Sequence, residues 1–462
     1  MNELQPPCPS GSPEQSPISP SRRDFLATSG KTAAASVLAG FAIPAVHAAG
    51  SDQIRLALIG CGGRGSGAVV NAMDADDGVA LTVMADLYED RLERSRAAIE
   101  GKYKDRAVVA PENRFIGFDA FKHAIDALRP GSGDVAMLTG YAGFRPQQLE
   151  YAVSKGVNVF MEKSFAADPP GVRRVLKAAE EADARGVKVA AGVMCRHSVN
   201  RAELLRRIAA GEIGSVESIS AYRMGPVGPL GPKPADKSDL EWQLRNFTKF
   251  FWVSGGLWSE MDIHQIDELC WIKGDYPVSA HGIGGRAFNN TDKGQNLDSY
   301  SVEWTFKDGT KAYDYVRYIP KCQNDFATYI HGSEKAAQFS GNTHAGTVKI
   351  FKDKRIADDN VLWEAPKEAL TPWQAQWNNF TKAIRENKPF NEAKRAGLSN
   401  LAAIMGRAAT HMGRVITWDE AMASEFRWFP GIDTLDYDSE PPFVADENGQ
   451  YPVPVPGSWV EI

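Results

Sequence analysis

"IRLALIGCGGRGSG", residues 54–67, decides how the rest of the chain is read. Ile54 to Ile59 is a short apolar, β-rich run, and Gly60, Gly62 and Gly65 follow it in G-x-G-x-x-G spacing. The glycines answer different needs. The first turns the chain tightly, the second lets backbone approach a pyrophosphate, and the third lets a helix lie close to the strand. The helix N-terminus then offers free N–H groups and a positive dipole end to phosphates. Gly60, Cys61, Gly62, Gly63, Arg64 and Gly65 are therefore the candidate phosphate cradle. Taken alone, the spacing also fits a mobile glycine loop, so its context decides.

The context extends in both directions. A second apolar strand, Val79 to Ala85, ends in Asp86, 21 residues after Gly65. An acid about 20 residues beyond the glycines is placed to hold ribose hydroxyls. No Arg or Lys follows Asp86 until Arg91, which favours NAD over NADP. The competing role for Asp86 is N-cap of the helix that follows it. Strand and helix signals then alternate: "DVAMLTG" (134–140), "RPQQLEYAVSKG" (145–156), "VNVFME" (157–162), "PPGVRRVLKAAEEADARG" (169–186) and "VKVAAGV" (187–193). Continuous apolar strands between amphipathic helices predict an α/β fold with a doubly wound parallel sheet of Rossmann type. Ligands bind such sheets at the carboxyl ends of the strands, so Glu162 and Lys163 are expected to face a cofactor cleft.

From about Ser215 the pattern changes to short, aromatic, turn-separated strands without helices between them. They predict a second α/β domain built on an open, mostly antiparallel sheet. Residues 225–250 form a Gly/Pro-rich loop, long enough for a lid or substrate wall. Within "SGGLWSEMDIHQIDELCWIKG" (254–274), Glu260, His264 and Asp267 fall on one helical face. A histidine beside carboxylates suits acid–base chemistry, because the carboxylate fixes the imidazole tautomer and supports its cation. The alternatives are a structural histidine on a solvated face or, last, a metal site, for which no second histidine stands nearby; no metal is assigned. Arg196, His197 and Asp267 are candidates for the substrate side, with a domain-hinge pair as the other reading of Arg196 and His197. Trp373, Trp377 and Phe380 have helical spacing and read as core.

The composition is that of a soluble globular protein: 462 residues, 43% hydrophobic, 24% charged. A net charge of −6 with no basic run longer than a pair argues against a nucleic-acid footprint. Residues 1–48 read as a signal of twin-arginine type, with Arg22 and Arg23 before an apolar run that ends in small residues at Ala48. An exported, periplasmic or extracytoplasmic protein with no membrane span in the mature chain is the corresponding expectation. Residues 49–192 are assigned to nucleotide binding and 193–425 to substrate and oligomerisation. Residues 426–462 form an aromatic, Pro-rich tail expected to drape over its own subunit or a neighbour. Four cysteines, Cys61, Cys195, Cys270 and Cys322, remain after the signal and form no C-x-x-C pair.

Taken together, "GCGGRG" (60–65), Asp86, "VFMEKS" (159–164), "EIGSVESISAY" (212–222), "EMDIHQID" (260–267), "AIRENKPF" (383–390) and "AATHMGRVITWDEA" (408–421) resemble the Gfo/Idh/MocA oxidoreductases. The resemblance covers nearly the whole mature chain. It implies a nicotinamide cofactor and redox chemistry on a secondary alcohol of a sugar, cyclitol or glycoside. By resemblance, Lys163 stands between nicotinamide and substrate, Glu260 is the partner acid and His264 the catalytic histidine. Two residues depart from the family pattern. Ser164 replaces a proline, which should leave the lysine's backbone less constrained, and Glu260 replaces an aspartate. An exported member favours tightly held NAD that cycles within one turnover. An NAD-dependent glycoside hydrolase and a non-catalytic ligand-binding protein are the alternatives. A homodimer or homotetramer built on the open sheet is expected.

Overall fold

Apolar strands separated by amphipathic helices can bury themselves only in a sheet covered on both faces, and the N-terminal half folds that way. The computed structural model describes residues 52–287, 291–341 and 347–462. The expected signal segment, 1–48, lies outside them. In the first half β1 (Ile54–Ile59), α1 (Gly63–Ala75), β2 (Val79–Asp86), α2 (Glu89–Tyr103), β3 (Arg114–Ile116) and α3 (Ala120–Asp126) are followed by β4 (Val135–Leu138), α4 (Arg145–Ser154), β5 (Asn158–Met161), α5 (Pro169–Arg185) and β6 (Val189–Ala191). The strand order is β3-β2-β1-β4-β5-β6 and every pairing is parallel. The chain moves outward from β1 to β3, then returns to the other side of β1. This reversal opens a crevice at the carboxyl ends of β1 and β4, where such sheets bind ligands.

After α6 (Val199–Ala209) comes a nine-stranded sheet. Its strands are β7 (Val216–Met224), β8 (Ser279–Gly285), β9 (Ser299–Thr305), β10 (Lys311–Arg317), β11 (Asp325–Gly332), β12 (Ala336–Gly341), β13 (Lys349–Phe351), β14 (Val361–Glu364) and β15 (Ile416–Thr417). Their order is β14-β13-β12-β11-β7-β10-β9-β8-β15, antiparallel apart from the β7–β10 pair. Side chains alternate between buried and half-exposed along β9 and β10, as a sheet with one covered face requires. The covered face lies under α7 (Gly256–Lys273) and a later long helix, α9 (Ala393–Met412). Trp258 of α7 and Trp304 of β9 both donate their indole N–H to carbonyls of α9, at Ala403 and Ala402. The other face carries stacked tyrosines: Tyr222 lies 5.4 Å from Tyr315, which lies 6.3 Å from Tyr313.

The two halves are not strictly sequential in the chain. Helix α8 (Pro372–Arg385) comes after the second sheet yet packs on the first, where Trp377 stacks on Phe160 of β5 at 4.5 Å. The Val189 amide then donates to the Phe390 carbonyl. The core reading therefore holds for Trp377 and Phe380, both fully buried, whereas Trp373 is only half-buried. Residues 225–250 are not loop throughout, since Asp239–Arg245 is helical. Ser238 caps it by accepting from the Glu241 amide at 3.1 Å, half of an S-x-x-E box that the loop reading passed over. The tail lies over its own chain, with Trp428, Leu435 and Tyr451 buried.

Candidate active site

The glycine loop joins β1 to α1, and each glycine sits where its spacing places it. A Cβ at Gly60, whose φ is +96°, would meet Gly140 backbone N at 2.4 Å. At Gly65 a Cβ would meet the Gly60 carbonyl and Thr139 Oγ1, both at 2.5 Å. At Gly62 and Gly63 it would meet nothing within 4 Å, because both face the cleft. Close packing thus fixes the first and third glycines, and the middle of the loop leaves room at the N-terminus of a 13-residue helix. That space and those free N–H groups fit a pyrophosphate.

The cleft runs from Asp86 at the end of β2 to Glu162, Lys163 and Glu260. Asp86 is buried and accepts from the Cys61 amide at 2.6 Å and the Tyr88 amide at 2.9 Å. Burial pushes its carboxyl above the ordinary range, while those two amides pull it back. It is not the cap of α2, which begins at Glu89 with Tyr88 in the capping position. The expectation that Asp86 lacks a neighbouring cation needs correcting. Arg91, one turn into α2, lines the same cleft, and its Nη1 donates to the Tyr141 hydroxyl at 2.6 Å. Arg64 spans the other side, with Nε 2.7 Å from Glu162 Oε1.

Lys163 follows β5, and its ammonium donates to both Oε2 and the backbone carbonyl of Glu260, each at 2.6 Å. Strand end and helix α7 are thus joined at one charge pair on the cleft wall. Ser164 does not loosen this arrangement, contrary to expectation. It is fully buried, its hydroxyl donates to the Ser259 carbonyl, and its own carbonyl accepts from Arg145 Nε at 3.2 Å. Arg145 was not foreseen. It is fully buried at the start of α4 and also donates to the carbonyls of Leu138 and Gly140. Burial pulls its pKa down to about 10, so it remains charged at neutral pH. A cation in the first turn of a helix opposes the dipole, and that misfit was the available signal.

His264 lies one turn beyond Glu260 on α7, buried, and outside the residues that line the cleft. Arg196, His197 and Asp267 are also outside it. Arg196 makes a two-pronged ion pair with Asp267, at 2.8 and 2.9 Å, and Ser399 donates to the same carboxylate. His197 Nε2 lies 3.1 Å from Glu392. These contacts bind β6, α7 and α9 together. They engage the side chains of Arg196, His197 and Asp267 in contacts between elements, away from the cleft lining. Phe247, from the 225–250 segment, and Tyr141, Phe144 and Phe118 complete the cleft.

No protein-family model matches the sequence, and no curated protein matches it. Solved structures do. Myo-inositol 2-dehydrogenase from Lactobacillus plantarum superposes with a TM-score of 0.58 at 19% identity, covering 79% of this chain and 99% of that one. Scyllo-inositol dehydrogenase from Lactobacillus casei, solved with NAD(H) and scyllo-inositol, gives 0.57 at 19% identity over the same shares. Aldose-aldose oxidoreductase from Caulobacter crescentus, complexed with glycerol, gives 0.60 at 14% identity, again over 79% and 99%. The fold is that of the inositol dehydrogenases. The α/β architecture expected from the sequence pattern, a parallel sheet joined to a mostly antiparallel one, is the architecture found. At identities of 14–19% the likeness establishes this shared fold.

Proposed function

We propose that this chain is an NAD-dependent oxidoreductase acting on a secondary alcohol of a sugar, cyclitol or glycoside. One observation carries the reading: the Lys163–Glu260 pair stands on the wall of the same cleft into which the glycine cradle opens. The solved inositol dehydrogenases and the aldose-aldose oxidoreductase of the same fold support it. When bound, NAD supplies a hydride acceptor.

The protein's own residues do the rest. Glu260 takes two of the three ammonium protons of Lys163, which leaves the third for a substrate oxygen. That donor stabilises alkoxide character as the alcohol loses its proton. His264, about 6 Å further along the axis of α7 and behind the cleft lining, is proposed as the proton acceptor for a substrate that reaches past Glu260. Arg145 and Ser164 hold the backbone at Lys163. Asp86 is proposed to take the adenosine ribose. With the buried Asp86 carboxylate at the end of β2 facing the ribose position, NAD is favoured over NADP. Export through a twin-arginine signal and assembly through the tyrosine-bearing sheet face belong to the same proposal.

The test is turnover of NAD-loaded protein on cyclitols, aldoses and glycosides, followed by the absorbance of reduced nicotinamide and by product analysis. Lys163→Met should lower turnover about 10²–10⁴-fold with NAD still bound. Undiminished turnover in that variant would remove Lys163 from the chemistry. A free reducing sugar released from a glycoside, in place of a ketone or lactone, would assign hydrolysis instead.

A further inference from the structure

The tail contributes a carboxylate to the interior. Glu461 is fully buried, and so are Arg407 and His411 of α9, which it meets. Glu461 Oε1 lies 2.8 Å from Arg407 Nε, and Oε2 lies 2.9 Å from His411 Nδ1. The Trp459 indole donates to the same carboxylate at 3.0 Å. A guanidinium so placed, with Trp428 and Phe251 rings 5.4 and 5.9 Å away, has one orientation open to it.

The free donors of that guanidinium reach two places that bear on the cleft. Nη2 donates to the Ala167 carbonyl at 3.1 Å, in the segment that follows Lys163. Nη1 donates to the Gly255 carbonyl at 3.2 Å and the Ser259 hydroxyl at 3.3 Å, at the start of α7 just before Glu260. Ser259 is in turn the residue whose carbonyl accepts from Ser164. Asn400, two turns earlier on α9, clamps the same segment through the Phe165 amide and the Ala166 carbonyl. The space is tight, since a Cβ at Gly255 would stand 2.8 Å from Arg407 Nη1.

We propose that Arg407, oriented by Glu461, is a positioning residue that sets the register of Lys163 against Glu260. The inference rests on the oxidoreductase reading and adds the C-terminal segment to it. Glu461 holds the fork, and the fork ties the strand-end segment to the helix. A displacement of about 1 Å between the lysine and its partner is enough to cost about 10²-fold in rate.

The test uses NADH titrated into wild-type protein, Lys163→Met, Glu461→Gln and the double variant Arg407→Met/Glu461→Met. The double variant replaces a buried ion pair with apolar groups, a change that folds tolerate better than loss of one partner. The readouts are NADH affinity and the emission of the bound nicotinamide. Lys163→Met supplies the signature of a lysine missing from the ring. The expected result is unchanged NADH affinity in Glu461→Gln and the double variant, with emission moved towards the Lys163→Met signature. Wild-type emission in both, whatever their melting temperatures, would make Arg407 and Glu461 structural only and overturn the proposal. A wild-type protein that does not bind NADH, or a Lys163→Met emission identical to wild type, would instead overturn the oxidoreductase reading beneath it.

Discussion

Gly62, the cap of α1, and Gly65, in its first turn, stand three residues apart and differ in what a methyl group would meet. At Gly65 the methyl runs into backbone and Thr139 at 2.5 Å, while at Gly62 it enters open space. Gly65→Ala should therefore destabilise the fold by about 1–3 kcal/mol and weaken NAD binding as well. Gly62→Ala should leave the melting temperature nearly unchanged and weaken NAD alone, because its methyl occupies the phosphate position. Thermal melts and NAD titrations of the two variants separate these effects. The glycines were legible because backbone geometry dictates their spacing, and Lys163 because a strand of known direction ends there. Arg145 was not legible as a site residue. Its role depends on three carbonyls, those of Leu138, Gly140 and Ser164, that only the folded chain brings together. Asp267 misled for a related reason. Helical spacing puts it near the face of Glu260, but Arg196, from a distant segment, takes its carboxylate.

At the scale of elements, α7 carries Glu260 on one side and the buried Asp262 on another, opposite the buried Asp314 of β10. Asp262 accepts from the Tyr318 hydroxyl, and Arg223 of β7 bears on both it and Asp314 of β10. Asp314 is fully buried, and Glu268 adds a further negative charge. Burial raises the Asp262 carboxyl to about 7, against the pull of Tyr318 and Arg223. Burial, with the charge of Asp262, raises Asp314 well above the ordinary range. Both folded values exceed the unfolded ones, so the stability from this pair is complete below pH about 4. It is lost as pH rises through about 7, by up to about 1.4 kcal/mol per pH unit for each group that ionises only on unfolding. Denaturant midpoints between pH 5 and 8 should fall for the wild type, and Asp262→Asn should flatten that slope. A slope unchanged by the substitution would mean that Asp262 is ionised in the folded state. Strand alternation made the second sheet legible, and β7 falls where the pattern put it. The two-to-four-residue strands β14 and β15 carry too few positions for any period to register.

At the scale of the whole molecule, segments far apart in sequence close over one cleft. Phe247 comes from the 225–250 segment, and its ring meets that of Tyr141 at 5.2 Å, tilted by 40°. Tyr437 comes from the tail, where its hydroxyl donates to the Leu87 carbonyl at 2.5 Å and its ring meets Phe118 at 5.0 Å. Leu87 and Phe118 both line the cleft. A cofactor beneath these rings should leave slowly, and Tyr437→Ala should raise the rate of NAD release measured by dilution into a nucleotide trap. The tail's aromatics announced that they needed cover, but which surface they would cover was a property of the fold. The central claim is that this cleft holds NAD for redox work on an alcohol. The direct measurement is to purify the protein without added nucleotide, denature it, and assay the supernatant for NAD(H) and NADP(H). Near-stoichiometric NAD(H) is the expected result; a protein that releases none, and takes up neither nucleotide when they are supplied, would contradict the account.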